Sequence, residues 1–504
     1  MNNFNESLEI GKQLIDKNID EALVLFENLR KKFPNKEEVF FELGKIYFIK
    51  QDFISAKINL EKINNKQDYH LNLLLAKVYK SINKPFSALK LFLKLYKQYK
   101  NNELEKEIFN IFLILKKDIL AIKFLLKNNI NNKELKNIIY FYVNTIIEKV
   151  ANDSFDKVKK DIKKLISLLY KYTDKNEYLK EKNILLNEYE IGTKEVVLKS
   201  KPRNLTVTLT NKCILKCRMC KNVQIKEGFE ISENYFNEIK QLIPYLQRVV
   251  WLGGEVFLYD KFFELFDLSS LHRVKQNVAT NALLLNRDII KKLLESYYLE
   301  LNLSIDALTK NTYENIRVGA KFEKLMNNVD LLNDLICGKN NIQLYVNVVV
   351  SRWNMEENFF NYIDFCKKYN IKQIYFTLDM HETNNMKIID NFNFKYRNVL
   401  ENELKNINVA TVFLIPFSNA FLMDKKINFR QNCLQPWKSM MIDCNIIRFS
   451  DLCCEIGQME EDSLENLWNC KTAVDLRKQV LTYQNTKCGH ICKNNKLDFQ
   501  RFKT

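Results

Sequence analysis

The sequence predicts an α/β protein in three parts: a helical repeat region (1–195), a core of strands and helices (196–425) and a cysteine-rich extension (426–504). Three observations predict this division. The front third repeats with a period near 33 residues, short β-rich runs follow from about residue 195, and all twelve cysteines lie at or after Cys213. A chain of 504 residues is long enough for two or three separate hydrophobic cores.

The front third is predicted to be all-α. Alanines recur at intervals of 34, 32 and 33 residues inside amphipathic stretches, namely Ala22, Ala56, Ala88 and Ala121. Gly44 and Ala76 lie in register between them, and Tyr47 and Tyr79 follow in register. A small residue at a fixed place lets two helices approach closely. The pattern resembles tetratricopeptide repeats, whose helix pairs stack around a groove, although an irregular helical bundle is the alternative.

The middle region alternates short β-rich runs with helix-length segments. Such alternation predicts a parallel sheet with crossover helices, open or curled into a partial (β/α)6 barrel. Ligands in such folds gather at the carboxyl ends of the strands, so functional residues should directly follow the strands. The predicted strands are 204–210, 248–252, 276–280, 299–305, 342–350 and 372–378.

Charge and hydropathy exclude several classes of protein. The formal charge is +17, but lysines are spread along the whole chain with no basic block, so no nucleic-acid partner is expected. No run of 18 uncharged apolar residues occurs, which argues against a membrane span. The first residues lack the basic and apolar segments of a secretory signal, so a cytoplasmic protein is expected.

Three cysteines directly follow the first predicted strand, at Cys213, Cys217 and Cys220. Three thiolates on one short loop can bind three irons of a cubane cluster and leave the fourth iron open, while a zinc site is the alternative. The Cys-x3-Cys-x2-Cys motif resembles the radical SAM superfamily, and Met219 fits it, whereas Ile214 replaces the usual Asn. The resemblance implies a catalytic [4Fe–4S] cluster, coordinated with S-adenosylmethionine, on these three cysteines.

A glycine pair ends the second predicted strand. Gly253, Gly254 and Glu255 match the superfamily segment that holds the amino group of the methionine moiety, with Val256 in place of the usual Pro. Only ten glycines occur in the chain, so an adjacent pair is notable, and a backbone without Cβ atoms can approach a ligand closely. A plain turn is the alternative.

Polar residues also end the third and fourth predicted strands. Thr280 and Asn281 follow one strand, and Ser304 and Asp306 follow the next. The resemblance implies that these cofactor-binding groups lie near the carboxylate and ribose of S-adenosylmethionine, although Asp306 could instead cap the following helix. Arg317 also matches the superfamily pattern after the fourth strand. Two roles fit it, which are contact with the ligand and fixing of the loop.

The tail resembles the SPASM/twitch extension, which binds auxiliary iron–sulfur clusters. The matching pieces are Cys433 with Pro436–Trp437, the Cys453–Cys454 pair, the segment 464–469 and the Cys488 and Cys492 pair. One auxiliary [4Fe–4S] cluster on Cys433, Cys453, Cys488 and Cys492 is expected, with Cys454 open in place of Cys453 and structural zinc as the alternative to the cluster.

Three other tail residues carry expectations. Cys444, at a hairpin turn, and Cys470, in a helix, are expected not to bind metal. Asn445 is expected to take the positive φ of the missing hairpin glycine.

The resemblance implies reductive cleavage of S-adenosylmethionine to a radical that abstracts a hydrogen atom. Together with a groove suited to extended or acidic partners, it favours modification of a peptide or protein side chain. Radical modification of a small polar metabolite, such as a sugar or glycan precursor, is the first alternative, and a non-catalytic iron–sulfur scaffold is the second. An electron donor such as flavodoxin or ferredoxin is also implied.

Overall fold

The structure, a computed structural model, describes most of the chain. The described residues are 2–65, 67–115, 117–128, 133–152, 155–174, 176, 178–220, 228–379, 385–414, 433–450, 453, 455–459 and 462–482. They form two compact units, Met1–Ser154 with Lys163–Asp174 and Phe155–Ile162 with Lys175–Thr504, which are described separately below.

In the part of the chain before the first strand that the structure describes, the regular elements are all helices. They are α1 (Asn2–Lys17), α2 (Ile19–Lys32), α3 (Glu37–Ile49), α4 (Phe53–Glu61), α5 (Tyr69–Ser81), α6 (Pro85–Gln98), α7 (Asn102–Ile114), α8 (Asp118–Lys127), α9 (Lys133–Asn152), α10 (Phe155–Tyr172) and α11 (Leu179–Gly192). The predicted all-helical N-terminal region is confirmed.

Adjacent helices of this region meet through the repeated small and aromatic residues. A Cβ atom on Gly44 of α3 would lie 2.4 Å from the Leu60 side chain of α4, so the small residue lets these two helices pack closely. The Tyr47 hydroxyl donates to Glu27 of α2 at 2.8 Å, and the Tyr79 hydroxyl donates to Glu61 of α4 at 2.6 Å. A tyrosine–glutamate hydrogen bond therefore joins α3 to α2 and, one repeat later, α5 to α4.

The strands of the described residues form one sheet in the order β10-β9-β8-β1-β2-β3-β4-β5-β6-β7. Neighbours from β8 through β1 to β7 run parallel, and β9 and β10 pair antiparallel. The strands are β1 (Asn204–Thr208), β2 (Arg248–Leu252), β3 (Lys275–Thr280), β4 (Leu299–Ser304), β5 (Ile342–Val350), β6 (Gln373–Leu378), β7 (Ala410–Leu414), β8 (Ser439–Asp443), β9 (Ile446–Arg448) and β10 (Glu455–Gln458).

Helices lie between these strands and, at the end of the described chain, after β10. They are α12 (Glu233–Leu242), α13 (Phe262–Leu271), α14 (Arg287–Leu294), α15 (Lys310–Ile316), α16 (Phe322–Ile336), α17 (Asn361–Lys368), α18 (Met386–Phe392), α19 (Asn398–Asn406), α20 (Gln435–Lys438), α21 (Leu464–Trp468) and α22 (Lys471–Leu481). Because β1 to β6 are the six predicted strands, each parallel to the next, the predicted α/β class with a parallel core is confirmed. None of the helices among the described residues has the length and apolarity of a membrane span.

The two faces of the sheet differ in polarity. On β4, Leu301 and Leu303 are fully buried, while Asn302 and Ser304 point to the opposite face and are partly exposed. On that same face Asn347 of β5 lies beside Ser304 and accepts a hydrogen bond from the Thr377 hydroxyl at 3.0 Å. One face is therefore a hydrophobic core and the other is polar.

Helix α11 satisfies backbone carbonyls at the amino-terminal ends of the strands. Lys180 donates to the carbonyl of Arg273 at 2.8 Å, and Asn183 donates to the carbonyl of Tyr245 at 3.1 Å. Asn187 donates to the carbonyl of Trp437 at 2.7 Å. These carbonyls precede β3, β2 and β8, so α11 belongs with the sheet, whereas the predicted boundary at 195/196 places it in the repeat region.

The tail is tied to the core by buried side chains. Arg477 of α22 is fully buried and donates to the carbonyls of Pro436, Val196 and Trp468 at 2.8, 3.0 and 2.7 Å. The Trp468 indole donates to the carbonyl of Ser200 at 2.8 Å. The described part of the extension therefore completes the core instead of standing apart from it.

Candidate functional site

The cysteine loop follows β1 and is braced by backbone hydrogen bonds. The Lys216 N–H donates to the carbonyl of Val318 at 2.9 Å, and the Arg218 N–H donates to the carbonyl of Ile316 at 3.0 Å. On the other side, Asn211 accepts from the Phe229 N–H at 2.6 Å. Both braces fix the loop at the carboxyl edge of the sheet, where the topology predicts a ligand site.

The three cysteines lie close enough to influence one another. Burial raises the pKa of the Cys217 thiol to about 11, and the nearby Cys220 and Cys213 thiols add to this while Arg317 opposes it. Burial also raises the pKa of Cys213. A thiolate on this loop therefore needs a cation beside it, which a bound metal centre supplies.

Both glycines of the predicted segment face the cysteine loop. The Gly254 N–H donates to the carbonyl of Thr210, and the Glu255 N–H donates to the carbonyl of Lys212, each at 2.8 Å. A Cβ atom would lie 2.8 Å from the Thr210 carbonyl oxygen at Gly253, and 2.3 Å from that of Lys212 at Gly254. Close approach to the loop, which the sequence did not reveal, therefore requires glycine at both positions.

Glu255 is buried and connects β2 to β3. The Thr280 hydroxyl donates to both of its carboxylate oxygens, at 2.9 and 3.0 Å, and the Asn281 N–H donates at 3.0 Å. Burial raises the pKa of Glu255 to about 7 against these hydrogen bonds, which lower it. The Asn281 amide also lies 3.9 Å from the sulfur of Cys213, so the structure brings these predicted residues together beside the cysteine loop.

Asp306 and Arg317 form a buried ion pair behind the loop. The guanidinium lies 2.8 Å from the Asp306 carboxylate and 4.0 Å from the Cys217 sulfur. Asp306 also accepts from the Val349 N–H at 2.9 Å. Burial disfavours the charged guanidinium, but Asp306 and Cys217 outweigh it and hold the pKa of Arg317 above its ordinary value. The carboxylate of Asp306 thus holds Arg317 in place. Ser304, the other predicted residue at the end of β4, is partly exposed.

The structure describes four of the tail cysteines. Cys433 and Cys453 are partly buried, and the Ser450 hydroxyl donates to the Cys453 sulfur at 3.4 Å. Cys470 caps α22, because its sulfur accepts from the Ala473 N–H at 3.4 Å, so it precedes the helix that was expected to contain it. Cys454, Cys488 and Cys492 lie outside the described residues.

The turn between β8 and β9 corrects one expectation. Cys444 has φ = 54°, and Asn445 is not among the residues with positive φ, so the prediction for Asn445 was wrong. The turn has only two residues, and its left-handed conformation falls on the first of them.

Two residues of the site were not identified from the sequence. The Arg218 guanidinium lies 4.8 Å from the ring centroid of Trp353, a cation–π distance. Arg218 also donates to the carbonyl and side chain of Asn315 at 2.7 and 3.0 Å. A cation inside the cysteine motif and a tryptophan just after β5 were the available signals.

Known proteins resemble the region that contains this site. Residues 207–357 match the family model of the radical SAM superfamily. GTP 3′,8-cyclase of Synechocystis sp. is 27% identical over 176 residues, which are 34% of this chain and 52% of the cyclase. Mycofactocin maturase of Mycolicibacterium smegmatis is 26% identical over 161 residues, which are 31% of this chain and 40% of the maturase. The chain thus spans about half the length of the curated relatives it matches.

Solved structures give a looser likeness. SuiB of Streptococcus suis with bound S-adenosylmethionine has a TM-score of 0.46 at 18% identity, covering 68% of this chain and 83% of SuiB.

The superfamily implies a [4Fe–4S] cluster and S-adenosylmethionine, and the residues present fit both. Three thiols share one loop, which matches a cubane with one open iron. Glu255 adjoins the loop, because its N–H donates to the carbonyl of Lys212, and its carboxylate can accept from a cationic group. Residues 207–357 therefore match a radical SAM domain, and the three-cysteine loop lies inside the matched region.

Proposed function

We propose that this chain cleaves S-adenosylmethionine reductively and uses the product to take a hydrogen atom from a substrate. The supporting observation is that Glu255 and Asn281 meet the three-cysteine loop at one edge of the sheet. A reduced [4Fe–4S] cluster held by the three cysteines would supply one electron for the cleavage of S-adenosylmethionine, and the cleaved cofactor would take the hydrogen atom.

The residues of the chain have separate roles in this proposal. Cys213, Cys217 and Cys220 bind three irons as thiolates and leave one iron for S-adenosylmethionine. The Glu255 carboxylate accepts from the ammonium group of the cofactor, and Thr280 holds that carboxylate in place. Ser304, at the end of β4, donates its hydroxyl to a cofactor oxygen.

The experiment is anaerobic reconstitution followed by measurement of 5′-deoxyadenosine with dithionite as reductant. Replacing Cys213, Cys217 and Cys220 together with Ala should abolish the product, because no open iron remains. Cys337→Ala, at an exposed position after α16, is the matched control and should leave the product unchanged. Equal product in the triple variant and the wild type would overturn the proposal.

We further propose a peptide or protein side chain as the substrate. The helical repeats support it, since stacked helix pairs suit extended partners, and one similar protein is named a maturase. The alternative, a small polar metabolite such as a sugar, is supported by the neutral polar groups of Asn302, Asn347 and Thr377 on the open face of the sheet. A non-catalytic scaffold would give no 5′-deoxyadenosine.

A deletion separates the two substrate classes. Removing residues 1–154 keeps Phe155, whose ring packs 6.3 Å from that of Tyr189 in α11. For a peptide substrate docked by the repeats, the shortened chain should retain uncoupled cleavage of S-adenosylmethionine and lose substrate turnover. Full turnover by the shortened chain would favour the small metabolite.

The tail is proposed to hold one auxiliary [4Fe–4S] cluster on Cys433, Cys453, Cys488 and Cys492. Iron counting tests this, because two cubane clusters need about eight irons per chain. Replacing Cys433 and Cys488 with Ala should lower the count to about four. Four irons and one zinc in the wild type would make the tail site structural.

A further inference from the structure

Arg317 is fastened opposite Cys217 by the backbone on both sides. The N–H groups of the two residues that flank Cys217 donate to the carbonyls of the two residues that flank Arg317, at 2.9 and 3.0 Å. These hydrogen bonds hold together two segments that are 100 residues apart in the chain. The guanidinium of Arg317 then lies 4.0 Å from the Cys217 sulfur, with an N–H group directed at it.

A second buried arginine shows how a structural arginine is bonded in this protein. Arg477 donates through all three of its nitrogens to backbone carbonyls, at distances of 2.7 to 3.0 Å. Arg317 differs, because its two terminal nitrogens face the Asp306 carboxylate and the Cys217 sulfur. Its Nε–H has no hydrogen-bond partner among the residues that the structure describes. The guanidinium of Arg317 is thus directed at a carboxylate and a sulfur, and not at the backbone.

Stability alone does not account for the buried pair of Asp306 and Arg317. Taking two charges out of water costs about as much as their attraction gains, and apolar side chains of similar volume often serve a fold equally well. Asp306 is itself fixed on the sheet, since its carboxylate accepts from the Val349 N–H at 2.9 Å. What the pair supplies, and apolar side chains would not, is a positive group held against one sulfur of the cysteine loop.

That positive group acts on an iron ligand that is shielded from water. Cys217 is buried, whereas Cys213 and Cys220 are partly exposed, so the charge of Arg317 is screened least at the sulfur it faces. Reduction adds one negative charge to an iron–sulfur cluster, and a nearby positive group stabilises the reduced form more than the oxidised form. Charges and hydrogen bonds at the sulfurs are among the features that set the reduction potential of such clusters.

We propose that Arg317, held in place by Asp306, raises the reduction potential of the cluster bound by Cys213, Cys217 and Cys220. This inference rests on the proposed function. Arg317 contributes a positive charge and an N–H donor at the Cys217 sulfur. Asp306 is a positioning residue, and its negative charge opposes part of the effect of Arg317. The two side chains therefore stabilise the fold together but shift the potential in opposite directions.

Two variants of the full-length protein with its cluster separate these effects. Asp306→Asn removes the opposing negative charge, so the potential should rise. Asp306→Asn combined with Arg317→Gln replaces the ion pair by two neutral amides, so the potential should fall. We expect at least a tenfold change in the ratio of reduced to oxidised cluster in each direction, which corresponds to about 59 mV for one electron. Lys310→Gln, at an exposed position on α15, is the matched control and should leave the potential unchanged.

Electron paramagnetic resonance at a series of fixed potentials measures the reduced fraction. The signal that changes when S-adenosylmethionine is added identifies the three-cysteine cluster, because that cluster has the open iron. Equal potentials in the wild type and the neutral double variant, or shifts of the same sign in both variants, would refute the role of Arg317.

Two further results keep the test decisive. If the neutral double variant binds too little iron, Asp306→Asn decides by the sign of its shift, and Arg317→Lys, which keeps the charge, should retain most of the wild-type potential. A lower potential in Asp306→Asn than in the wild type would refute the role. Absence of any signal that responds to S-adenosylmethionine in the wild type would instead refute the proposed function.

Discussion

The guanidinium of Arg317 lies 2.8 Å from the carboxylate of Asp306, with both side chains buried behind the cysteine loop. A buried charge without its partner is strongly unfavourable, so each side chain depends on the other. Arg317 also lies 4.0 Å from the Cys217 sulfur, so the position of Arg317 beside the loop depends on Asp306.

Removal of Asp306 should destabilise the chain. In cluster-free protein, Asp306→Ala should lower the free energy of unfolding by about 3–5 kcal/mol, because Arg317 is left buried and uncompensated. Adding Arg317→Met should restore part of the loss. Urea denaturation of both single variants and the double variant measures the coupling between the two sites. Glu323→Ala, which breaks the exposed 2.8 Å pair with Lys310, is the control and should have no measurable effect. Additive losses would contradict the coupling.

Glu255 should make stability depend on pH. Because burial raises its folded-state pKa from 4.5 to about 7, its contribution is fully present below pH 4.5 and is lost as pH rises to 7. The loss corresponds to about 3 kcal/mol. Glu255→Gln should remove it, so the wild type should lose stability relative to the variant between pH 4.5 and 7. Urea denaturation of the two cluster-free proteins across this range measures the free energy of unfolding. If it changes with pH in the same way in both proteins, Glu255 does not bind its proton more tightly in the folded state.

Gly254→Ala should displace the cysteine loop. The new Cβ atom would lie 2.3 Å from the Lys212 carbonyl oxygen, and backbone cannot move aside as cheaply as a flexible side chain. We expect iron content after reconstitution to fall by at least about half, with a lower melting temperature. Gly228→Ala is the control, because a Cβ atom at Gly228 would have no neighbouring atom within 4 Å. Equal iron content in both variants would show that the loop tolerates the methyl group.

The strands could be predicted from the sequence because their apolar runs are local signals. The predicted 342–350 strand coincides with β5, and 248–252 coincides with β2. β7 was missed, although its Ala410–Leu414 segment pairs with β6 as the others do. The contacts that place helix α11 with the sheet, such as Asn187 with Trp437, join positions 250 residues apart in the chain. No local pattern shows such contacts, so the helix was assigned to the repeats.

The site was predictable in composition but not in arrangement. The motifs predicted that Cys217, Gly254 and Asp306 belong to the site. The atoms that these residues contact lie on segments far away in the sequence, so no local pattern predicts the contacts. The Lys212 carbonyl that excludes a Cβ atom at Gly254 belongs to another strand's loop, and the partner of Asp306 is Arg317. The turn conformation at Cys444 likewise follows from the pairing of two strands.

The repeat region should depend on its tyrosine–glutamate bonds. Burial raises the pKa of Tyr79 to about 12, and its hydroxyl donates to Glu61 at 2.6 Å. Tyr79→Phe should therefore lower local stability by about 1 kcal/mol. Hydrogen exchange of peptides from α4 and α5 measures this, with exposed Tyr99→Phe as the control. Unchanged protection in Tyr79→Phe would show that the bond contributes nothing.

The pairing of β8 with β1 has a consequence for biosynthesis. Asn204 and Ser439 lie opposite each other in the sheet but are 235 residues apart in the chain. At translation rates of about 5–20 residues per second, the β1 edge lacks its neighbour for roughly 10–50 s. An open strand edge is a template for pairing with other chains. The newly made chain is thus most vulnerable to aggregation on the strand that leads into its cysteine loop, until the tail emerges from the ribosome.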